Sequence, residues 1–414
     1  MPRAPGDTLM TVDDLPRMVL HEAAIEHNLA LMSAFCEQAG MLLAPHAKTH
    51  LSKDLCDRQL AAGAWGLTAA TTSQVRTLVA FGSPRILHAN VLVDARAIEF
   101  VASTFLAADS ATEYLCYVDS LAGLDLLEHA LEMLSPAKKL RVLVELGYQG
   151  GRTGARSESD ARHIGHRVAA STRLELAGVA GYEGLMPRGE NVFPDAAPAL
   201  LAGIRRLATY FHGEGLFAGT PVVTAGGSSY FDLVAAELGP QNFDFEILPV
   251  LRSGCYLTHD HGVYARTSPL GDSPREVARP AGTAGSPETD AAAVTPVAAF
   301  EPAFELLASV LSAPEPGLVI VGFGRREAPT DDTLPVVLGV ADPEGGVPLN
   351  TAGWTVTAVN DHHAYLRVPA ESTVPMGTVL RFGISHPCGA FDRWRSIPLV
   401  DAHYGMLGEI TPEL

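Results

Sequence analysis

Apolar positions follow two rhythms along this chain. Through the first two-thirds, short apolar, β-branched runs alternate with longer stretches whose apolar residues recur at helical spacing. Leu15 to Leu20 reads as a short strand standing before that alternation. His21 to Gly40 reads as a helix, with Ala24, Ile25, Leu29 and Leu31 along one face. Eight strands are then expected, over Met41–Pro45, Ala64–Thr68, Arg85–His88, Tyr114–Asp119, Leu140–Leu146, Leu176–Tyr182, Pro221–Ala225 and Phe245–Val250. A helix over Lys53–Ala62 precedes the second strand, and helical patterns fill the other gaps, most clearly Gln74–Phe81, Leu121–Leu134, Ser159–Ala170 and Pro198–His212. After Tyr264 the rhythm changes. Ser268 to Pro296 is rich in Pro, Gly, Ala and Ser and has no period. Beyond it come short alternating runs without clear helices: Leu318–Gly322, Leu334–Val340, Trp354–Asn360, Ala364–Val368 and Val379–Ile384.

This pattern predicts an α/β fold, a (β/α)8 TIM-like barrel followed by a C-terminal all-β domain. The barrel is expected over residues 21–265 and the β domain over 297–414, with residues 1–20 returning to it. Residues 268–296 are expected to be a flexible insertion. A doubly wound open sheet is the competing reading of the first part.

Composition narrows the class of function. The chain has 414 residues, 47 % hydrophobic and 18 % charged, enough for two cores. A formal net charge of −18 argues against nucleic acid and anionic membrane surfaces as partners. No run of about 20 apolar residues predicts a membrane span. The cysteines, Cys36, Cys56, Cys116, Cys255 and Cys388, lack framework spacing and read as reduced thiols of a cytoplasmic protein.

Candidate chemistry gathers at the C-terminal ends of the expected strands, where such barrels place reactive groups. Of the four lysines, Lys48, Lys53, Lys138 and Lys139, only Lys48 follows a barrel strand directly. Desolvated there, its amine would be a nucleophile able to condense with a carbonyl. A loop lysine paired with a carboxylate is the plainer alternative. Gly226-Gly227-Ser228-Ser229 opens a helix after strand seven, where backbone N–H groups and hydroxyls suit a phosphate. Arg152, in a glycine-bounded turn, suits a planar anion or closes a surface turn. Tyr256 is placed to bond the same phosphate or to pack. His386 and Cys388 follow Ile384, and on an extended segment their side chains would face the same way. Imidazole plus thiolate suits zinc, with a cysteine in the core and a capping histidine as the alternative. His259-Asp260-His261 and Asp361-His362-His363 look like solvated loops.

Taken together, these pieces resemble the D-threonine aldolase and D-serine dehydratase family, pyridoxal-phosphate enzymes with an alanine-racemase-like barrel and a β domain. Pro45-His46-Ala47-Lys48-Thr49-His50 matches the family's cofactor-lysine motif. Arg152 with Thr153-Gly154 looks like its arginine beside the cofactor, and Tyr182 like its tyrosine at the ring. Gly226-Gly227 with Ser228 looks like its phosphate loop. Arg252-Ser253-Gly254-Cys255-Tyr256 is similar to its glycine-x-tyrosine segment, and His386-Pro387-Cys388 to its metal pair. The run Tyr182-Glu183-Gly184-Leu185 lacks the histidine or cysteine that members often carry there.

The resemblance implies a lyase for β-hydroxy-D-amino acids such as D-serine or D-threonine. Its cofactors would be pyridoxal 5'-phosphate and a divalent metal, zinc first and manganese second. Cys388, where aldolases tend to carry Asp, tilts the expectation toward dehydration to a 2-oxo acid and ammonia. Aldol cleavage to glycine and an aldehyde is the alternative, and a non-catalytic cofactor-binding protein the further one. A homodimer is implied as well.

Overall fold

The computed structural model describes residues 15–184, 196–271, 298–341 and 350–414. The strands are labelled in chain order. β2 (Leu42–Leu43), β3 (Leu67–Ala69), β4 (Arg85–Val91), β5 (Glu113–Val118), β6 (Leu140–Leu146), β7 (Leu174–Gly181), β8 (Val222–Ala225) and β9 (Leu248–Leu251) form one parallel eight-stranded sheet, ordered β2-β9-β8-β7-β6-β5-β4-β3. Its two ends meet. The Trp65 N–H donates to the Leu43 carbonyl and the Thr68 N–H to the Pro45 carbonyl, and His46 bridges Thr68 in parallel. The sheet therefore closes into the expected barrel, which removes its edges.

Period two explains why the strands read as continuous apolar runs. In β5, Tyr114, Cys116 and Val118 join the core under the surrounding helices, while Leu115 and Tyr117 point into the barrel. In β6, Val142 and Val144 face the helices and Leu143 faces inward. The inner core also holds Ala44, Leu87, Ala180, Val222 and Val250. Following the same parity to the strand ends gives His46, Glu145, Tyr182 and Arg252, which is how polar groups reach the mouth. At Gly178 a Cβ would lie 1.9 Å from the Val222 carbonyl oxygen, so β7 and β8 meet only because this residue is glycine.

The second sheet has nine strands, on the path β13-β14-β11-β10-β1-β16-β17. It contains β1 (Arg17–His21), β10 (Phe304–Glu315), β11 (Leu318–Val321), β12 (Val336–Val340), β13 (Thr355–Val359), β14 (Ala364–Arg367), β15 (Val379–Gly383), β16 (Ile397–Val400) and β17 (Met406–Ile410). β1 lies between β10, antiparallel, and β16, parallel. β15 pairs with β10 and β12. The strand β10 was not expected. Phe304 to Ala308 is buried at every position, so it carries no alternation to read. The short helix Pro387–Phe391 was not expected either. All but residues 268–271 of the expected insertion lies outside the described residues.

Buried Asn28 ties the two sheets together. Its Nδ2 donates to the Leu257 carbonyl at 3.1 Å and the Glu301 carbonyl at 2.7 Å, and its Oδ1 accepts from the Glu301 N–H at 2.8 Å. Among the described residues, no helix is long and apolar enough to cross a membrane.

Candidate active site

A cavity of about 450 Å³ opens between the C-terminal mouth of the barrel and the β domain. Lys48, Arg152, Tyr182, Gly226, Gly227 and Ser228 line it from the barrel, and His386, Cys388 and Asp331 from the other side. Volumes of several hundred Å³ are usual for small-molecule sites. Of the residues that the resemblance places at the cofactor or the metal, namely Lys48, Arg152, Tyr182, Gly226, Gly227, Ser228, Tyr256, His386 and Cys388, Tyr256 alone is not among the lining groups.

Lys48 sits in a tight helical turn, Ala47–Thr49, just past β2. It is exposed to the cavity rather than desolvated as expected, because that turn lifts it out of the strand's inward row. His46 lies beneath it. Burial, with Lys48, Arg252 and Arg152 nearby, holds His46 neutral, well below its usual pKa.

Arg152 lies over the Tyr182 ring, 5.2 Å from its centroid. Its loop is pinned by Arg156, whose Nη1 donates to the Thr153 and Gly154 carbonyls and Nη2 to those of Gly151 and Arg152. The Gly154 N–H donates to Asp119 Oδ2 at 3.1 Å.

The glycine loop after β8 differs from expectation in one respect. The N–H groups of Gly226 and Gly227 already donate to the fully buried Glu183 carboxylate, both at 3.1 Å. Burial raises the pKa of Glu183 while these amides and Arg252 oppose the rise. A phosphate at this loop would meet the Ser228 hydroxyl and the amides beyond the two glycines. Arg252, buried, donates to Thr224 Oγ1 and to the Gly181 carbonyl, both at 2.6 Å.

Tyr256 turns away from the cavity. Its hydroxyl accepts from Gln59 Nε2 at 3.2 Å, and its ring packs against Phe300. The tight turn Cys255–Leu257 breaks the alternation, so Cys255, and not Tyr256, faces the cavity.

Cys255 joins the expected pair. Cys255, His386 and Cys388 each offer a donor atom, and the three lie within 4.8 Å of one another. The two sulfurs are 3.6 Å apart, and Thr49 Oγ1 is 3.6 Å from Cys255 Sγ. His386 Nδ1 donates to Asp331 Oδ2 at 2.7 Å, leaving Nε2 for the sulfur side. His386 is extended, but Cys388 already lies in the first turn of the short helix, so the two do not converge by strand spacing. Hydrogen bonding from Cys388 and His386 outweighs burial and draws the Cys255 thiol well below its usual pKa.

The rival pairs fall elsewhere. His259 and Asp260 are buried, not solvated, and Asp260 accepts from the N–H groups of Gly262, Tyr264 and Ala265. His362 is exposed and bonds Glu327 at 2.7 Å.

The residues present fit both expected cofactors. Buried in the cavity wall, His46 Nδ1, the Tyr117 hydroxyl and Glu145 Oε2 have no hydrogen-bond partner among the described residues. Buried polar atoms ordinarily find one, so a polar ligand suits this wall. The sulfur and imidazole donors suit a soft divalent metal. Tyr117 and Glu145 were legible only as the inward parity of their strands, Arg252 also through the segment that follows strand eight, and Tyr264, a further lining residue, had no sequence signal.

Comparison with known proteins agrees with this geometry. Residues 303–400 match the family model described as "Putative serine dehydratase domain". D-threonine aldolase of Arthrobacter sp is 28 % identical over 93 % of this chain and 88 % of its own length. The solved D-threonine aldolase of Filomicrobium marinum superposes with a TM-score of 0.77, at 24 % identity, over 100 % of this chain and 98 % of that one. D-threo-3-hydroxyaspartate dehydratase from Delftia sp. HT23 superposes with a TM-score of 0.70, at 22 % identity, over 98 % and 99 %. The barrel and β domain thus have the architecture that alanine racemases share, and the chain is similar to D-threonine aldolase along most of its length and to the serine dehydratase model over residues 303–400.

Proposed function

We propose that this protein is a pyridoxal-phosphate- and metal-dependent lyase that dehydrates and deaminates a β-hydroxy-D-amino acid of the D-serine or D-threonine type. One observation carries the reading: Lys48 and the His386–Cys388 pair line the same cavity, so a lysine amine and a metal-ligating pair can act on one small molecule.

Lys48 would hold the cofactor covalently, with Arg152 and Tyr182 beside its ring and Ser228 at its phosphate. Gly226 and Gly227 shape that loop through Glu183. When bound, pyridoxal phosphate supplies an electron sink for a bond broken at Cα, and a divalent metal on His386 and Cys388 supplies a Lewis acid for the β-oxygen. Zinc is the metal that these donors favour, with manganese second. Lys48 Nζ is the group that takes the Cα proton. Asp331 holds the His386 ring so that Nε2 faces the metal position. In dehydration the Cα–H and Cβ–O bonds break, and hydrolysis of the dehydrated product gives a 2-oxo acid and ammonia.

The metal pair favours dehydration. A solved D-threo-3-hydroxyaspartate dehydratase exists as a metal-free cysteine-to-alanine mutant, and another as a histidine-to-alanine mutant two positions earlier. That is the spacing of His386 and Cys388. Likeness to D-threonine aldolase along most of the chain favours the second reading, Cα–Cβ cleavage to glycine and an aldehyde. A product screen over D-serine, D-threonine and 3-hydroxy-D-aspartate separates them. Oxo acid and ammonia are expected; glycine with no oxo acid would replace dehydration by cleavage. The same reading expects a homodimer, and sedimentation as a monomer would remove that part.

A further inference from the structure

We infer that Cys255 is a third protein ligand of the metal, so that Cys255, His386 and Cys388 together hold one zinc ion with a fourth position open to the cavity. The inference rests on the lyase reading above and deepens its metal site.

The argument is geometric. Zinc binds thiolate sulfur at about 2.3 Å and imidazole nitrogen at about 2.0–2.1 Å in a tetrahedron. Two sulfurs on one tetrahedral edge then stand roughly 3.8 Å apart. The sulfurs of Cys255 and Cys388 are 3.6 Å apart, and the His386 ring offers a nitrogen within 4.8 Å of both. A disulfide would need about 2.05 Å.

The position of Cys255 is built into the fold. A Cβ on Gly254 would lie 2.6 Å from the His46 carbonyl oxygen, so only glycine lets the chain after β9 press against the exit of β2. The next residue is therefore delivered beside Thr49 and opposite Cys388. Asp331 occupies Nδ1 of His386, which leaves Nε2 as its ligand atom.

Two thiolates and an imidazole neutralise a divalent ion and select zinc over manganese or magnesium, which prefer oxygen. Catalytic zinc sites keep three protein ligands and one open position. The open position would take the substrate's β-oxygen. The barrel thus supplies one ligand and the β domain two, whereas a His386–Cys388 pair alone would hold its ion from one side only.

X-ray absorption at the zinc edge of the cofactor-loaded protein tests this. Two sulfurs and one imidazole nitrogen are expected in the first shell. Cys255→Ser should show one sulfur and hold zinc at least about tenfold less tightly in competition with a chelator, since loss of a mere supporting contact already costs that much. Cys388→Ser, read the same way, gives a second count should the first variant misfold. One sulfur in the unaltered protein, with zinc retention unchanged in Cys255→Ser, overturns the third ligand and leaves the two-ligand lyase standing. Failure of the unaltered protein to take up zinc at all overturns both.

Discussion

The sulfurs of Cys255 and Cys388 stand 3.6 Å apart although 133 positions separate them in the chain. Cys255 opens the turn after β9 and Cys388 lies in the first turn of the short helix after β15, so the contact spans the junction of barrel and β sheet. The cavity is complete only when both are in place. Lys48 and the glycine loop come from the barrel, His386 and Asp331 from the other side. That explains why the chain commits buried polar contacts such as Asn28 to fixing one sheet against the other.

Removing the carboxylate behind His386 isolates its orienting role. Asp331→Ala frees His386 Nδ1 and lets the ring rotate. Metal affinity, measured by competition with a chelator, is expected to fall about 10–100-fold. Unchanged affinity would mean that the carboxylate does not set the ring.

Lys48 carries the covalent claim. Borohydride reduction of the yellow protein, followed by peptide mapping, should place the reduced cofactor on the peptide containing Lys48. Lys48→Ala should give no such adduct and lose turnover by at least about 10³-fold, the scale of a lost base and anchor. An adduct on another residue of the unaltered protein would remove Lys48 from this role.

The barrel was legible because its strands obey two simple signals at once. Leu140 to Leu146 is apolar on both faces, and helical periods fill the spaces between such runs. The strand-end groups were legible for the same reason, since parity carries Tyr182 to the mouth. Legibility failed where the backbone leaves the regular period. In the turn Cys255–Leu257 a two-residue alternation no longer holds, so the sequence points to Tyr256 where the fold presents Cys255. At Lys48 a helical turn replaces the strand and exposes the amine. Phe304 to Ala308 failed differently, because full burial on both faces erases alternation. His259 and Asp260 look polar in sequence, yet their loop is covered, and backbone amides satisfy the carboxylate.

Asn28 should be worth more than an average core polar group. Asn28→Ala would leave the Leu257 and Glu301 carbonyls and the Glu301 N–H without their partner. Each buried orphan costs about 1–3 kcal/mol, with partial relief from water. A net loss of about 2–4 kcal/mol is expected, read as a lower denaturant midpoint. A loss under about 1 kcal/mol would mean that water replaces the side chain fully.

Glu305 sets an acid limit on the β domain. Its side chain, 8 % exposed, pairs with Arg381, accepts from the Tyr404 hydroxyl at 2.8 Å, and has His21 Nε2 at 3.2 Å. Burial alone would raise its pKa, but His21 close by and the hydrogen-bonded Arg381 outweigh it and lower the value from 4.5 to about 2. The folded value is depressed, so the stabilisation is fully present above about pH 4.5 and is lost as pH falls toward about 2. The difference corresponds to about 3 kcal/mol. Denaturant midpoints measured at steps from pH 7 down to pH 2.5 should hold steady and then fall within that window. Glu305→Gln should be less stable at neutral pH and lose much less further stability on acidification. An equally steep acid limb in the variant would assign it to other carboxylates.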